Sequence, residues 1–264
     1  MTAAAPPTQS WFTAPAPIRE LFRRFPLQVY DAEVLPERAP DQVRQWAKLF
    51  VFSSHDDAAR NLPSYNPTCL KWQTYLRVAK IPVDIVPSNN HASPSGALPY
   101  LLPVSSDSRP EIPLTGSRIA QYAQKHSRLS EERLSPREAS YVALIANNIR
   151  PAWILRSSSL YSLRAAARDE ILNAVRRPLL LPNEIYSDAE SAFAALSTLL
   201  GEDEWFFGGK EPRLFDAEVF AYTYLILDGR LIRWKDDSLK RCVSDFANLV
   251  RHQRRLYEQL WDEA

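Results

Sequence analysis

Between Leu214 and Leu227 almost every position is apolar, the run comprising Leu214, Phe215, Ala217, Val219, Phe220, Ala221, Tyr222, Tyr224, Leu225, Ile226 and Leu227. A helix apolar on all sides is a buried one, and this run falls short of the ~20 residues that a bilayer span requires. The pattern predicts a buried central helix, entered through the turn Gly208-Gly209 and the extended backbone at Pro212. Asp216 stands in its first turn, where a carboxylate accepts hydrogen bonds from unpaired amides and offsets the helix dipole.

Shorter periods predict the remaining elements. Lys48–Ser53, Pro82–Val86, Tyr100–Val104 and Glu111–Leu114 read as strands. Asn66-Pro67 supplies an N-cap and a proline at the first helical position, opening a helix to Ala79 that carries Cys69, Trp72 and Tyr75. A polar loop precedes it up to Tyr65. Residues 91–96 are too short and too rich in Pro and Ser for a full helix, and Ser117–Lys125 is helical by period. His126–Pro136 is polar and reads as a linker. Beyond it the chain is helical over 137–149, 163–175, 187–200, the buried run and 238–260.

Strand, helix, strand, then two strands and a helix is the order of a thioredoxin-like domain. Leu98-Pro99 immediately precedes a strand, where that fold keeps a cis-proline. The chain thus divides into an extension (1–45), a thioredoxin-like domain (46–126) and an α-helical domain (127–264), an α/β plus all-α class. In the extension, Ile18, Leu21, Phe22 and Phe25 share one face of a short helix bounded by Pro17 and Pro26, with Arg19, Arg23 and Arg24 elsewhere on the wheel. That face either packs on the protein's own domain, the commoner outcome, or docks on a partner or membrane surface.

Composition narrows the function classes. In 264 residues, 45% hydrophobic and 24% charged, the formal net charge is only +1, which argues against a general nucleic-acid binder. The two cysteines, Cys69 and Cys242, are far apart and suit a reducing compartment. With six glycines, phosphate-cradling loops are not expected. Met1–Pro17 holds no Lys or Arg and no apolar core segment, so neither a secretory signal nor an Arg-rich presequence is read there. No apolar run reaches membrane-span length, which predicts a soluble or peripheral protein.

The candidate chemistry sits at the start of the helix opened by Asn66. A helix N-terminus stabilises a thiolate, which is why thioredoxins place Cys-x-x-Cys there. Here Asn66 occupies the first cysteine position, so no dithiol exists. Cys69 reads as a thiol of lowered pKa if exposed, and more often as a small buried hydrophobe. The four histidines, His55, His91, His126 and His252, have no metal spacing, and His55-Asp56-Asp57 reads as a solvated loop. No metal or cofactor is expected. Arg251, Arg254 and Arg255 form a basic edge on the last helix, opposite Leu249, Val250 and Leu256.

A buried central helix with an acidic N-terminal cap resembles the core of glutathione-transferase-like proteins. The wording FFGG-x-x-P-x-x-x-DA-x-VFA-x-x-YLIL, with NPTCLKWQTYL and GALPYLLP, is similar to the metaxin branch of that superfamily. Over roughly residues 46–264 it looks closest to the metaxin-2-like receptor subunit of the fungal sorting and assembly machinery. The match departs from transferases in two places. They activate the glutathione thiol with a Tyr, Ser or Cys near the turn held here by Ser64, Tyr65 and Cys69, but the acidic residue that precedes Ser in their third-helix turn is replaced by Gly116 before Ser117. They also open the buried helix with Ser or Thr three residues ahead of the acid, where this chain has Arg213, so half of the capping box is missing.

The resemblance implies a non-enzymatic peripheral subunit on the cytosolic face of the mitochondrial outer membrane. It implies a second metaxin-like subunit and an Omp85-type barrel subunit as partners, and β-barrel precursor proteins as cargo. Asn66, Pro67, Pro99 and Asp216 would be structural. Some metaxin-1-like relatives end in a membrane anchor, and this chain ends at Trp261-Asp-Glu-Ala264 without one, which favours the metaxin-2-like reading. The alternatives are a glutathione-transferase-like enzyme using Ser64, Tyr65 or Cys69, or a transferase-like scaffold in another assembly.

Overall fold

The computed structural model describes residues 45–104, 112–127, 135–157, 181–228 and 237–262, all within the compact unit Pro40–Ala264. A nearly continuous run of buried positions builds β1 (Ala47–Val51), which pairs in parallel with β2 (Val83–Pro87) and antiparallel with β3 (Tyr100–Leu102). β3 pairs antiparallel with β4 (Leu114–Thr115), giving the order β2-β1-β3-β4. This is the sheet of a thioredoxin-like domain. The strand expected over 111–114 is shifted and shorter, because β3 offers only Tyr100 and Leu101 as partners to it.

The loop expected before Tyr65 contains a short helix, α1 (His55–Ala59). Ser54 Oγ accepts from Asp57 N–H at 3.1 Å, and that cap is what the polar reading of the segment passed over. α2 (Pro67–Val78) carries Trp72 and Tyr75 into the core, and α3 (Ser117–His126) buries Ile119 and Ala123 on the same domain. A single 3-10 turn, Asn90–Ala92, precedes β3.

The helical half begins with α4 (Pro136–Leu144), capped by Ser135, and runs on through a π-turn (Ile145–Ile149) into α5 (Arg150–Ser157). The helical period predicts a helix that ends at Ile149, two residues before Pro151. Instead the turn widens, Arg150 N–H reaching back to Ile145 O, so the helix passes the missing proline donor without a break. α6 (Pro182–Leu200) starts earlier than its apolar period suggests, on Pro182 at the first helical position. The helix expected over 163–175 lies outside the described residues, as do Ile18, Leu21, Phe22 and Phe25 and most of the expected linker.

α7 (Leu214–Leu227) is the buried run, with eleven of its residues buried. The long last helix is two: α8 (Ser238–Ser244) and α9 (Ala247–Tyr257), with a π-turn over Glu258–Asp262. Ser244 Oγ donates to Lys240 O and Asn248 Oδ1 accepts from Leu249 N–H, and such short polar side chains compete with the helical ladder at the break. Asn248 also donates to the carbonyls of Ser197 and Gly201, satisfying the end of α6.

Two apolar cores interlock. Leu70 of α2 belongs to the helical core, and Ala217 of α7 belongs to the sheet-side core, so the α2–α7 packing joins the halves. Arg77 of α2 reinforces the joint: it donates to Leu260 O and lies 4.6 Å over the Trp261 ring.

Asp216 is fully buried. Its Oδ1 accepts from Phe206 N–H at 3.0 Å and from His252 Nε2 at 2.9 Å, and its Oδ2 accepts from Arg213 N–H at 2.9 Å. Capping alone predicts a loss of ~1–2 kcal/mol for Asp216→Ala. Because two further buried donors, Phe206 N–H and His252 Nε2, also lose their acceptor at ~1–3 kcal/mol each, we expect about 3–5 kcal/mol in urea unfolding. Asp216→Asn, which keeps one acceptor, should lose less. A loss below about 1 kcal/mol for Asp216→Ala would contradict the hub role.

Candidate functional site

Ser64, Tyr65, Asn66 and Cys69 converge at the N-terminus of α2. Asn66 Oδ1 accepts from Thr68 N–H at 2.9 Å and Cys69 N–H at 3.3 Å, so the side chain covers the amides that would otherwise face a thiolate. Ser64 is fully buried, its hydroxyl donating to Phe52 O at 2.7 Å and its backbone N–H bonded to Gln73 Oε1 at 2.9 Å. The Tyr65 hydroxyl donates to the Asp57 carboxylate and accepts from Ser54 N–H at 3.1 Å. Both hydroxyls are spent on the loop that carries them.

Asp57, expected as part of a solvated loop, is therefore the loop's organiser. The Tyr65 hydrogen bond first, then Ser54 and Arg60, hold its carboxyl below the usual carboxylate range. No group of three His, Cys, Asp or Glu able to hold a metal ion occurs among the described residues.

The other two places that the sequence marks are the Leu98–Pro99 peptide and Gly116. The Leu98–Pro99 peptide is cis, and Leu98 N–H is held by Asn90 Oδ1 at 3.0 Å. Tyr100, next along β3, stacks on Phe50 with ring centroids 4.3 Å apart. At the start of α3, Gly116 has a φ of 55° and gives the helix no side-chain cap. The glycine that removes the acidic group is thus also the residue that tolerates this left-handed turn.

Sequence reasoning treated His252 as isolated. It is fully buried, between Trp205 and Phe206, with ring centroids 5.7 Å and 5.1 Å away. Its Nδ1 has no hydrogen-bond partner among the described residues, so the proton facing Asp216 belongs on Nε2. The available signal was spacing: His252 follows Leu249 by three and precedes Leu256 by four, on the buried stripe of α9. Val250, expected on that stripe, is only half-buried.

Cys69 is fully buried, and burial pushes its thiol from 9.0 up to about 12, against smaller opposing contributions from the Phe52 backbone and Ser64. The folded state holds this proton more tightly than the unfolded chain does. The resulting stability is complete below about pH 9 and is lost as pH rises toward about 12. In the folded chain at mildly alkaline pH, iodoacetamide should leave Cys69 unmodified and label it only after denaturation. Half-buried Cys242 should react first, though more slowly than a free thiol, because burial and then Glu190 raise its pKa. Peptide mass spectrometry reads both sites; rapid labelling of native Cys69 would refute its burial.

The family model of the glutathione S-transferase N-terminal domain matches residues 67–162, and that of the C-terminal domain matches residues 189–256. Among solved structures, glutathione S-transferase III in its apo form aligns with a TM-score of 0.50 at 15% identity, covering 83% of this chain and 94% of that one. Glutathione transferase F2 from Populus trichocarpa aligns with a TM-score of 0.51 at 15% identity, covering 82% and 96%. These likenesses establish a glutathione-transferase-like fold. Metaxin-3 of Xenopus laevis is 27% identical over 196 residues, 61% of this chain. Metaxin-1 of Homo sapiens is 25% identical over 267 residues, 88% of this chain. The matches span 62% and 55% of the lengths of those two relatives. With the fold, the two domain matches and these relatives in agreement, the chain belongs to the metaxin family of glutathione-transferase-like proteins.

Proposed function

We propose that this chain is a non-enzymatic, peripheral subunit of the mitochondrial outer-membrane machinery that sorts and inserts β-barrel precursors. The observation that carries the reading is the state of the α2 N-terminus in a metaxin-family fold. Its thiol is buried and protonated, its two hydroxyls are bonded within their own loop, and an asparagine caps the helix. A glutathione-activating hydroxyl has to face the substrate thiolate, and none of these does.

Attachment to the membrane would then rest on protein contacts. Among the described residues no helix is long and apolar enough to cross a membrane. The partners in this reading are an Omp85-type barrel and a second metaxin-like subunit, on the cytosolic face, with the chain in the place of the metaxin-2-like subunit of fungal machineries. The apolar face of Ile18, Leu21, Phe22 and Phe25 is the proposed part of that contact. Each such side chain gains ~1.5–3 kcal/mol on burial before ordering costs.

Tagged chain, recovered from mitochondria in mild detergent, should bring the barrel and the second subunit with it, and its depletion should slow assembly of β-barrel precursors. Leu21→Glu with Phe25→Glu should leave the melting temperature of the isolated protein unchanged and remove it from the complex. Collapse of stability in isolation would assign that face to internal packing instead. Glutathione conjugation abolished by changing Ser64, Tyr65 or Cys69 would overturn the reading as a whole.

A further inference from the structure

Away from the α2 N-terminus, a cleft of about 400 Å³ opens between α2, α3, α4 and α7. Its volume falls in the ~300–1,000 Å³ range of small-ligand sites. Trp72, Val142, Leu214 and Phe215 give it apolar walls, and Gln121 and Gln124 of α3 place amides on it. Those two amides make no hydrogen bonds among the described residues, so they are available to a ligand.

The charges in the cleft do not cancel. Lys71 Nζ pairs with Glu218 Oε2 at 3.0 Å, with side-chain exposures of only 19% and 15%, and lies 5.2 Å from the Trp72 ring centroid. This one cation is therefore already committed. Glu218 Oε1 stays unengaged, and half-buried Glu138, in the first turn of α4, has neither an ion pair nor a side-chain hydrogen bond among the described residues. Among the described lining residues one negative charge is left uncompensated beside aromatic faces, in a concave site where field lines are focused.

We propose that this cleft binds an organic cation, an ammonium or guanidinium on an apolar stem. The stem lies along Trp72, Val142 and Phe215, the charge meets Glu138 and the free oxygen of Glu218, and Gln121 and Gln124 complete the polar contacts. The same chemistry has two sources: a free small molecule, or a basic side chain of a polypeptide. The proposal is independent of the assignment to the import machinery.

The test uses the purified full chain and NMR titration with 2-phenylethylammonium, with 3-phenylpropionate as the anion on a matching stem. The cation should saturate and shift the Trp72 indole and the Gln121 and Gln124 side-chain amides, while the anion should bind about tenfold more weakly or not at all. Glu138→Gln, at a partly solvated position of matched size, should weaken the cation about tenfold, and Glu138→Lys should abolish its binding. A short peptide with one arginine between leucines separates the sources: tighter binding than the free cation marks a polypeptide side chain, weaker binding a small molecule. Equal affinity for cation and anion, an affinity unmoved by Glu138→Gln, or no saturable binding of the cation would overturn the proposal.

Discussion

The buried carboxylate of Asp216 constrains the rest of the helical half. A charge or strong acceptor removed from water is tolerable only with its lone pairs engaged, and Asp216 meets that condition with donors from three separate places: Phe206 in the FFGG turn, Arg213 at the start of α7 and His252 on α9. None of the three can shift without orphaning a buried group. Phe207 shows how firmly the turn is fixed. It sits at a φ of 59°, unusual for an aromatic residue, with its ring 5.1 Å from Phe215 and 6.2 Å from Tyr141.

With its start fixed, α7 presents different residues to each core. Ala217 is small enough for the α2 backbone to come close, and Leu70 crosses in the opposite direction. Stacked rings continue the joint: Phe220 and Tyr224 lie 5.4 Å apart, Trp261 stacks on Phe220 at 5.4 Å, and Arg77 covers Trp261. The cleft between α2, α3, α4 and α7 is set into this same joint, so its shape depends on the placement of α7.

Much of this was readable from residue order. The all-apolar run, Asn66-Pro67 and Leu98-Pro99 carry their structure in local chemistry: uniform burial, an N-cap with a fixed φ, and a proline before a strand. Where the reading failed, competing local hydrogen bonds decided. Ser54 turned a polar loop into α1, polar side chains split the last helix at Asp245-Phe246, and a π-turn carried α4 past Pro151. The site was harder. Partners such as Asp216 with His252, or Lys71 with Glu218, are separated by 36 and 147 positions, and spacing along the chain says nothing of such meetings.

In this transferase-like fold, the residues at the positions where a thiol would be handled make structural contacts. Ser64 and Tyr65 brace a loop, Asn66 caps a helix, Cys69 fills a core position, and Gly116 makes a turn. The most direct measurement is an amide NMR titration of the folded chain with reduced glutathione, followed at residues 64–69, 98–100 and 116–118. Internal use of these groups predicts no saturable shift at any of them in the millimolar range. Saturable shifts shared by the Asn66–Cys69 and Gly116–Arg118 amides, lost on changing Tyr65 or Ser64, would mean that a working thiol site remains.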